Sequence, residues 1–357
     1  MNSEIQKINA LGQSIWLDSI SRGMINSGKL SSMISEGISG ITSNPAIFQK
    51  ALSSENTYDK DIKSLTNLDG NAKNIFQNLS IKDISDACEL LRPIHNNTQG
   101  KDGFVSIEID PKFANDTEKS ISEGIYLHKS INQPNVMIKV PGTKNGMPVI
   151  EHLISLGINV NVTLLFSRSM YRKAAKAYIN GLNKLSPDQM KKVNSVASFF
   201  ISRIDTSADK VIDKKSQGKV AISNAILAYQ DYKNIFSRES FGQLEKEGAN
   251  KQRLLWASTS VKNQNYQKLL YVSELTGPET VNTVPENVYE EITSNNVQYK
   301  DLLNSDTKYH EGIIKNVLSD DELENITDEL LSDGIRLFEE AFDGLLNEIK
   351  NKITHHS

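Results

Sequence analysis

The chain's 357 residues are enough for one large barrel or two ordinary domains. A formal net charge of -4, a pI near 5.9 and basic residues scattered through helical segments exclude the electrostatic footprint of a nucleic-acid binder. Mean hydropathy is -0.41, and no apolar stretch approaches the roughly 18 residues that a membrane helix requires.

The N-terminus (Met1-Asn2-Ser3-Glu4) starts polar and lacks the basic-then-apolar order of a signal peptide, so a cytoplasmic location is expected. Short apolar runs then recur at residues 14–18, 40–43, 104–109, 136–140, 158–163, 196–201 and 254–258, with a weaker one at 280–284. Each is followed by a helical segment. The clearest covers 167–185, where Met170, Ala174, Ala177 and Tyr178 recur at helical spacing. Strands alternating with helices predict a parallel sheet, and eight of them predict a single (β/α)8 barrel of the α/β class. No glycine-rich turn of the dinucleotide type is present, so a Rossmann fold is the poorer fit.

A typical barrel takes roughly 250 residues, which leaves about 100 over. Part of the excess is a polar, helix-forming insertion over about 53–100, between the second and third strands. The lone Cys88 lies in it, in a helical pattern, and reads as a buried structural thiol in a reducing compartment. Residues 295–308 read as a polar surface excursion. The remainder is a C-terminal extension over about 319–352. There Leu331, Ile335, Phe338, Phe342, Leu345 and Ile349 recur at three- and four-residue steps, the pattern of a helix docked on the barrel. With no linker and no internal repeat beyond the βα unit, one domain over 1–357 is expected. Six scattered histidines show no metal-ligand spacing, so no metal is expected.

Lys139 sits in the middle of the run 136–140, bounded by Pro141-Gly142. An ammonium buried in such a strand is costly unless paired, neutralised or used. Burial favours the neutral amine, a nucleophile that condenses with a carbonyl carbon to form a Schiff base. Snorkelling to a surface carboxylate is the bland alternative. Other polar residues cluster at or just past strand C-termini, the face where barrel enzymes place their chemistry. They are Asp18, Asn44, Glu108, Asn161, Thr163, Ser198, Arg203 and Ser258. Each has a structural reading: Asp18 as a helix cap, Asn44 before Pro45 as a turn residue, Glu108 as a mere ion-pair partner of Lys139, Asn161 and Thr163 as partners of nearby backbone. Together they weigh more, because two carboxylates beside one buried lysine supply the acid and base that Schiff-base chemistry requires.

These segments also carry a family resemblance. GQSIWLD at 12–18, GITSNP at 40–45, IEID at 107–110, IKVPGT at 138–143, NVTLLFS at 161–167 and SFFISRID at 198–205 together resemble transaldolase. WASTS at 256–260 and GPETVNT at 277–283 are most similar to its longer bacterial branch. The resemblance runs in order from about Leu11 to Pro285. It implies a cofactor-free enzyme of the non-oxidative pentose phosphate pathway, a monomer or homodimer whose partners are small sugar phosphates. It would move a dihydroxyacetone unit from sedoheptulose 7-phosphate or fructose 6-phosphate to glyceraldehyde 3-phosphate or erythrose 4-phosphate.

By the same resemblance, Lys139 attacks the C2 ketone and Asp18 takes the C4 hydroxyl proton as C3–C4 breaks. Glu108 shuttles protons through a water held by Thr163. Asn44, Asn161 and Ser198 hold the dihydroxyacetone hydroxyls, and Arg203 and Ser258 bind the phosphate. The shorter branch has a second phosphate arginine two residues after the serine. Here Ser260 takes that position, and the next cation is Lys262. Two alternatives are a class I fructose 6-phosphate aldolase that releases free dihydroxyacetone and a non-catalytic sugar-phosphate-binding barrel. Phe200 offers no hydroxyl to position a water at the enamine, which favours transfer over release.

Overall fold

The computed structural model describes residues 3–68 and 70–356. Its centre is a closed barrel of eight strands: β1 (Gln13–Leu17), β2 (Ile38–Thr42), β3 (Val105–Glu108), β4 (Val136–Pro141), β5 (Val160–Leu165), β6 (Ser195–Phe200), β7 (Arg253–Ala257) and β8 (Thr280–Val284). All pairs are parallel, and β8 closes on β1 with Trp16 opposite Thr283. Each expected run becomes a strand, because a Val/Ile/Leu-rich stretch covered on both faces by barrel lumen and helices can bury every side chain. β4, β5, β6 and β8 are buried along their whole length. Most boundaries shift by one or two residues from the expected runs: β5 continues to Leu165, beyond Thr163, and Asp18 and Ser258 fall just past the ends of β1 and β7.

The lumen below the site is filled. The Trp16 indole lies so close to β2 that a Cβ on Gly40 would stand 2.5 Å from its ring. Only glycine fits there. The indole Nε1 donates to Asp102 Oδ1 at 2.8 Å, and Ser39 donates to the other carboxylate oxygen at 3.0 Å.

Three helices occupy the connection from β2 to β3: Pro45–Ser54, Asp59–Thr66 and Ala72–Asn97. The first starts immediately after β2, because Asn44 caps it and Pro45 takes the first turn, where its missing N–H is no loss. Arg22 and Tyr58 both donate to the buried Asp83, at 2.8 and 2.9 Å, and so tie the insertion to the chain after β1. Cys88 is fully buried in the third helix, and burial pushes its thiol well above the ordinary range.

The C-terminal extension is one helix, Asp320–His356. Phe338, Phe342, Leu345 and Ile349 form its buried stripe. It packs on the helices Pro45–Ser54 and Ala72–Asn97 and also on Ser202–Ala208 and β5, and so lies over the C-terminal mouth of the barrel. A Cβ on Gly334 would come within 2.9 Å of Leu164 in β5, so glycine permits this close crossing. Among the described residues, no helix is long and apolar enough to cross a membrane.

Candidate active site

Side chains two apart on a strand share a face, and a barrel stacks its inward side chains in layers drawn from alternate strands. Thr42, Lys139, Ser198 and Thr283, one from each even-numbered strand, line a cavity of about 220 Å³ beneath the C-terminal helix. Asp18, Thr163 and Ala257 from the odd-numbered strands or their ends complete the wall, with Phe200, Arg203 and Phe338 above them.

Lys139 is 5% exposed. Its Nζ donates to the Ser43 carbonyl at 3.0 Å and stands 3.7 Å from Glu108 Oε2, its register partner on β3. Among the described residues, both Glu108 oxygens and Thr163 Oγ1 are buried without a hydrogen-bond partner. Burial pushes the Glu108 carboxyl up to about 7, against the lowering effect of Lys139 and with reinforcement from Asp18. Burial raises Asp18 as well, opposed by the charge of Lys139 and by a 2.7 Å hydrogen bond from Thr42. Two carboxyls with raised proton affinity therefore flank one amine. That is the acid/base provision that iminium formation and carbon–carbon cleavage demand.

The far end of the cavity is cationic. Arg203 opens the helix after β6, and its guanidinium stacks 5.6 Å from the Phe200 ring. Among the described residues it has no ion pair or hydrogen bond. Burial lowers its pKa, and the nearby Asp333 opposes that shift. Ser258 adopts a left-handed backbone (φ 56°), which for a non-glycine residue costs about 1–3 kcal/mol. Its carbonyl accepts from Ser202 N, at 3.0 Å, and the two serine hydroxyls meet at the same distance. That turn brings Ser258, Ser260 and Lys262 to the cavity wall near Arg203. Lys262 is exposed.

Asn44 both caps its helix, accepting from Ile47 N at 3.1 Å, and lines the cavity. Asp18 is not a cap; Ser21 does that work for the next helix. Asn161 lies deeper than the cavity wall. It is fully buried, donates to Ser106 Oγ at 3.0 Å and accepts from Ser198 Oγ at 2.7 Å. The structure thus brings Asp18, Asn44, Thr163, Ser198, Phe200, Arg203, Ser258 and Lys262 around Lys139 and sets Asn161 one layer below. Glu108 reaches the group through Lys139. Sequence reasoning missed Thr42, Ser43, Ser106, Thr283 and Phe338. The two threonines had a signal, since each lies two residues from another inward-facing strand position. Phe338 had none beyond its place on an apolar helix stripe. Among the described residues, no cluster of His, Cys, Asp and Glu could hold a metal ion.

The sequence profile of the transaldolase/fructose-6-phosphate aldolase family matches residues 15–349. The transaldolase of Trichodesmium erythraeum is 41% identical over 99% of this chain and 98% of its own length. Transaldolase 2 of Nostoc punctiforme is 42% identical over 98% of each chain. The Neisseria gonorrhoeae transaldolase is 39% identical, covering 96% of this chain and 98% of its own.

Proposed function

The chain belongs to the transaldolase/fructose-6-phosphate aldolase family, and from that premise we propose that it is a transaldolase acting through a Schiff base on Lys139. One observation carries this reading: a buried amine lies between Glu108 and Asp18 in a cavity whose far end holds an arginine with no ion pair among the described residues.

Lys139 Nζ adds to the C2 carbonyl of a ketose phosphate such as fructose 6-phosphate or sedoheptulose 7-phosphate. Glu108, relayed by a water on the Thr163 hydroxyl, protonates the carbinolamine oxygen, and water leaves to give the iminium. Asp18 then takes the C4 hydroxyl proton. The C3–C4 electrons pass into the enamine, and the shortened aldose phosphate departs. Attack of the enamine on a second aldose phosphate, glyceraldehyde 3-phosphate or erythrose 4-phosphate, runs these steps in reverse. Asn44 and Ser198 bind the dihydroxyacetone hydroxyls, with Asn161 holding Ser198 from below. Arg203, Ser258 and Lys262 bind phosphate, the guanidinium supplying a fork of donors.

Phe200 and Phe338 line the cavity around the amine, and the Phe338 ring lies 6.0 Å from Nζ. This apolar cover disfavours hydrolysis of the enamine and supports transfer over aldolase-type release. We further propose that the barrel, its insertion and the C-terminal helix form one domain, working in the cytoplasm as a monomer or homodimer. A coupled assay with fructose 6-phosphate and erythrose 4-phosphate tests the function. Turnover without dihydroxyacetone release is expected, and no turnover, or stoichiometric release, would refute it.

A further inference from the structure

Asp18 has a second relationship, on the side away from Lys139. Thr42 Oγ1 stands 2.7 Å from Asp18 Oδ1 and 2.6 Å from Thr283 Oγ1. A threonine hydroxyl carries one hydrogen, and an ionised carboxylate only accepts. Thr42 must therefore direct its hydrogen to Asp18 and accept from Thr283. The direction of the chain, Thr283 to Thr42 to Asp18, is forced whenever Asp18 is charged. Both threonines are buried, and they come from the strands flanking β1, so barrel closure itself sets their separation. Asp18 Oδ2 makes no hydrogen bond among the described residues, and Asp18 lines the cavity.

We propose that Thr283 and Thr42 are positioning residues that keep Asp18 Oδ1 occupied, so that Oδ2 alone exchanges the proton with substrate in both halves of the transfer. The inference rests on the transaldolase reading. In the donor half, Oδ2 takes the C4 hydroxyl proton, the C3–C4 electron pair moves into the enamine, and the leaving aldose gains its carbonyl. In the acceptor half, enamine C3 attacks the aldehyde carbon, and Oδ2 returns a proton to the aldehyde oxygen. Nothing else is consumed. Between the two halves the proton has to wait facing the cavity. With Oδ1 already accepting from Thr42, Oδ2 is the oxygen left to hold it.

The charged groups facing Asp18 are Lys139 from β4 and Glu108 from β3, and among the described residues Thr42 alone hydrogen-bonds its carboxyl. Thr42→Val keeps the shape and removes the donor. Loss of a hydrogen bond to a charged group then raises the pKa of Asp18, so the acid limb of the kcat–pH profile moves up by about one unit. At neutral pH the turnover falls about tenfold or more. Borohydride trapping with fructose 6-phosphate still yields adduct on Lys139, but with the whole ketose attached. Thr42→Ser restores the profile, and Thr283→Val gives a smaller shift in the same direction. An unmoved acid limb in Thr42→Val, or no rescue by serine, overturns the relay. If wild-type protein forms no adduct on Lys139, the transaldolase reading falls and takes the relay with it. Wild-type adduct with an unmoved limb removes the relay alone.

Discussion

Lys139 and Glu108 face each other across the β3–β4 ladder, 3.7 Å apart, yet the amine directs its shorter bond to the Ser43 carbonyl at 3.0 Å. The carboxyl therefore feels the lysine's charge while both its buried oxygens keep unused hydrogen-bonding capacity among the described residues. Because burial outweighs that charge and places Glu108 at about 7, the kcat–pH profile is expected to show an ionisation near neutrality. Glu108→Gln should remove it and slow turnover by about 10²- to 10⁴-fold. The same displacement has a stability consequence. Glu108 titrates above its ordinary value of 4.5, so its contribution is complete below that pH and is lost as pH rises through about 7. Denaturant midpoints of wild type minus Glu108→Gln should fall across that window.

Lys139→Met retains length and removes the amine. Turnover should be abolished while circular dichroism keeps the barrel signature. Borohydride with fructose 6-phosphate should leave a dihydroxyacetone-derived adduct on the wild-type peptide containing Lys139 and none on the variant. An adduct mapped to another lysine would end the proposed mechanism.

Asp18→Asn and Glu108→Gln should stall at different points. If Asp18 serves cleavage, its variant accumulates an adduct that retains the whole sugar. If Glu108 serves iminium formation, its variant accumulates little adduct of any kind. Mass spectrometry of trapped peptides separates the two, and identical profiles would mean that the roles are wrongly divided.

At the cationic end, Arg203 has the two-pronged geometry for phosphate, whereas Lys262 is a point charge on a flexible stem. A hydrogen bond to a charged group contributes about 1.5–3 kcal/mol, or roughly 10- to 150-fold. Arg203→Ala should lower kcat/KM for fructose 6-phosphate by at least that order and barely affect free dihydroxyacetone as donor. Lys262→Ala should reduce the same preference by less. Equal slowing of phosphorylated and unphosphorylated donors by Arg203→Ala would assign that side chain to structure.

Phe338 reaches the site from the helix over the barrel mouth, and its removal should wet the enamine. Phe338→Leu is expected to raise free dihydroxyacetone release relative to transfer by about tenfold, equivalent to roughly 1.4 kcal/mol between two competing barriers. Product partitioning with and without erythrose 4-phosphate measures this. An unchanged ratio would mean that Phe200 alone keeps water away.

Much of this architecture was legible in the chain because strand burial is written in residue type. Val136, Ile138 and Val140 announce β4, and Lys139 stands out against them. For Thr42 and Thr283, alternation along the strand signals only an inward-facing position: threonine is an ordinary strand former, so its hydroxyl gives no sign of facing a carboxylate rather than backbone. Phe338 is remote from every strand and reads as core until the helix is docked. Asn161 shows the limit in the other direction. Its polarity within a buried strand was visible, but its capture between Ser106 and Ser198 depends on the stagger of three strands, which no local pattern encodes.

The layered origin of the site has a consequence for which changes of length the chain can absorb. Between β2 and β3 the chain loops out through three helices, and the register of Glu108 against Lys139 is untouched. One residue deleted inside β4 would instead turn Lys139 toward the surrounding helices and present an aliphatic neighbour to the cavity, because side-chain direction reverses at each step. Insertions and deletions surviving a selection for growth on the pathway should therefore map to connections, and their absence from the eight strands would trace the catalytic machinery as a genetic footprint.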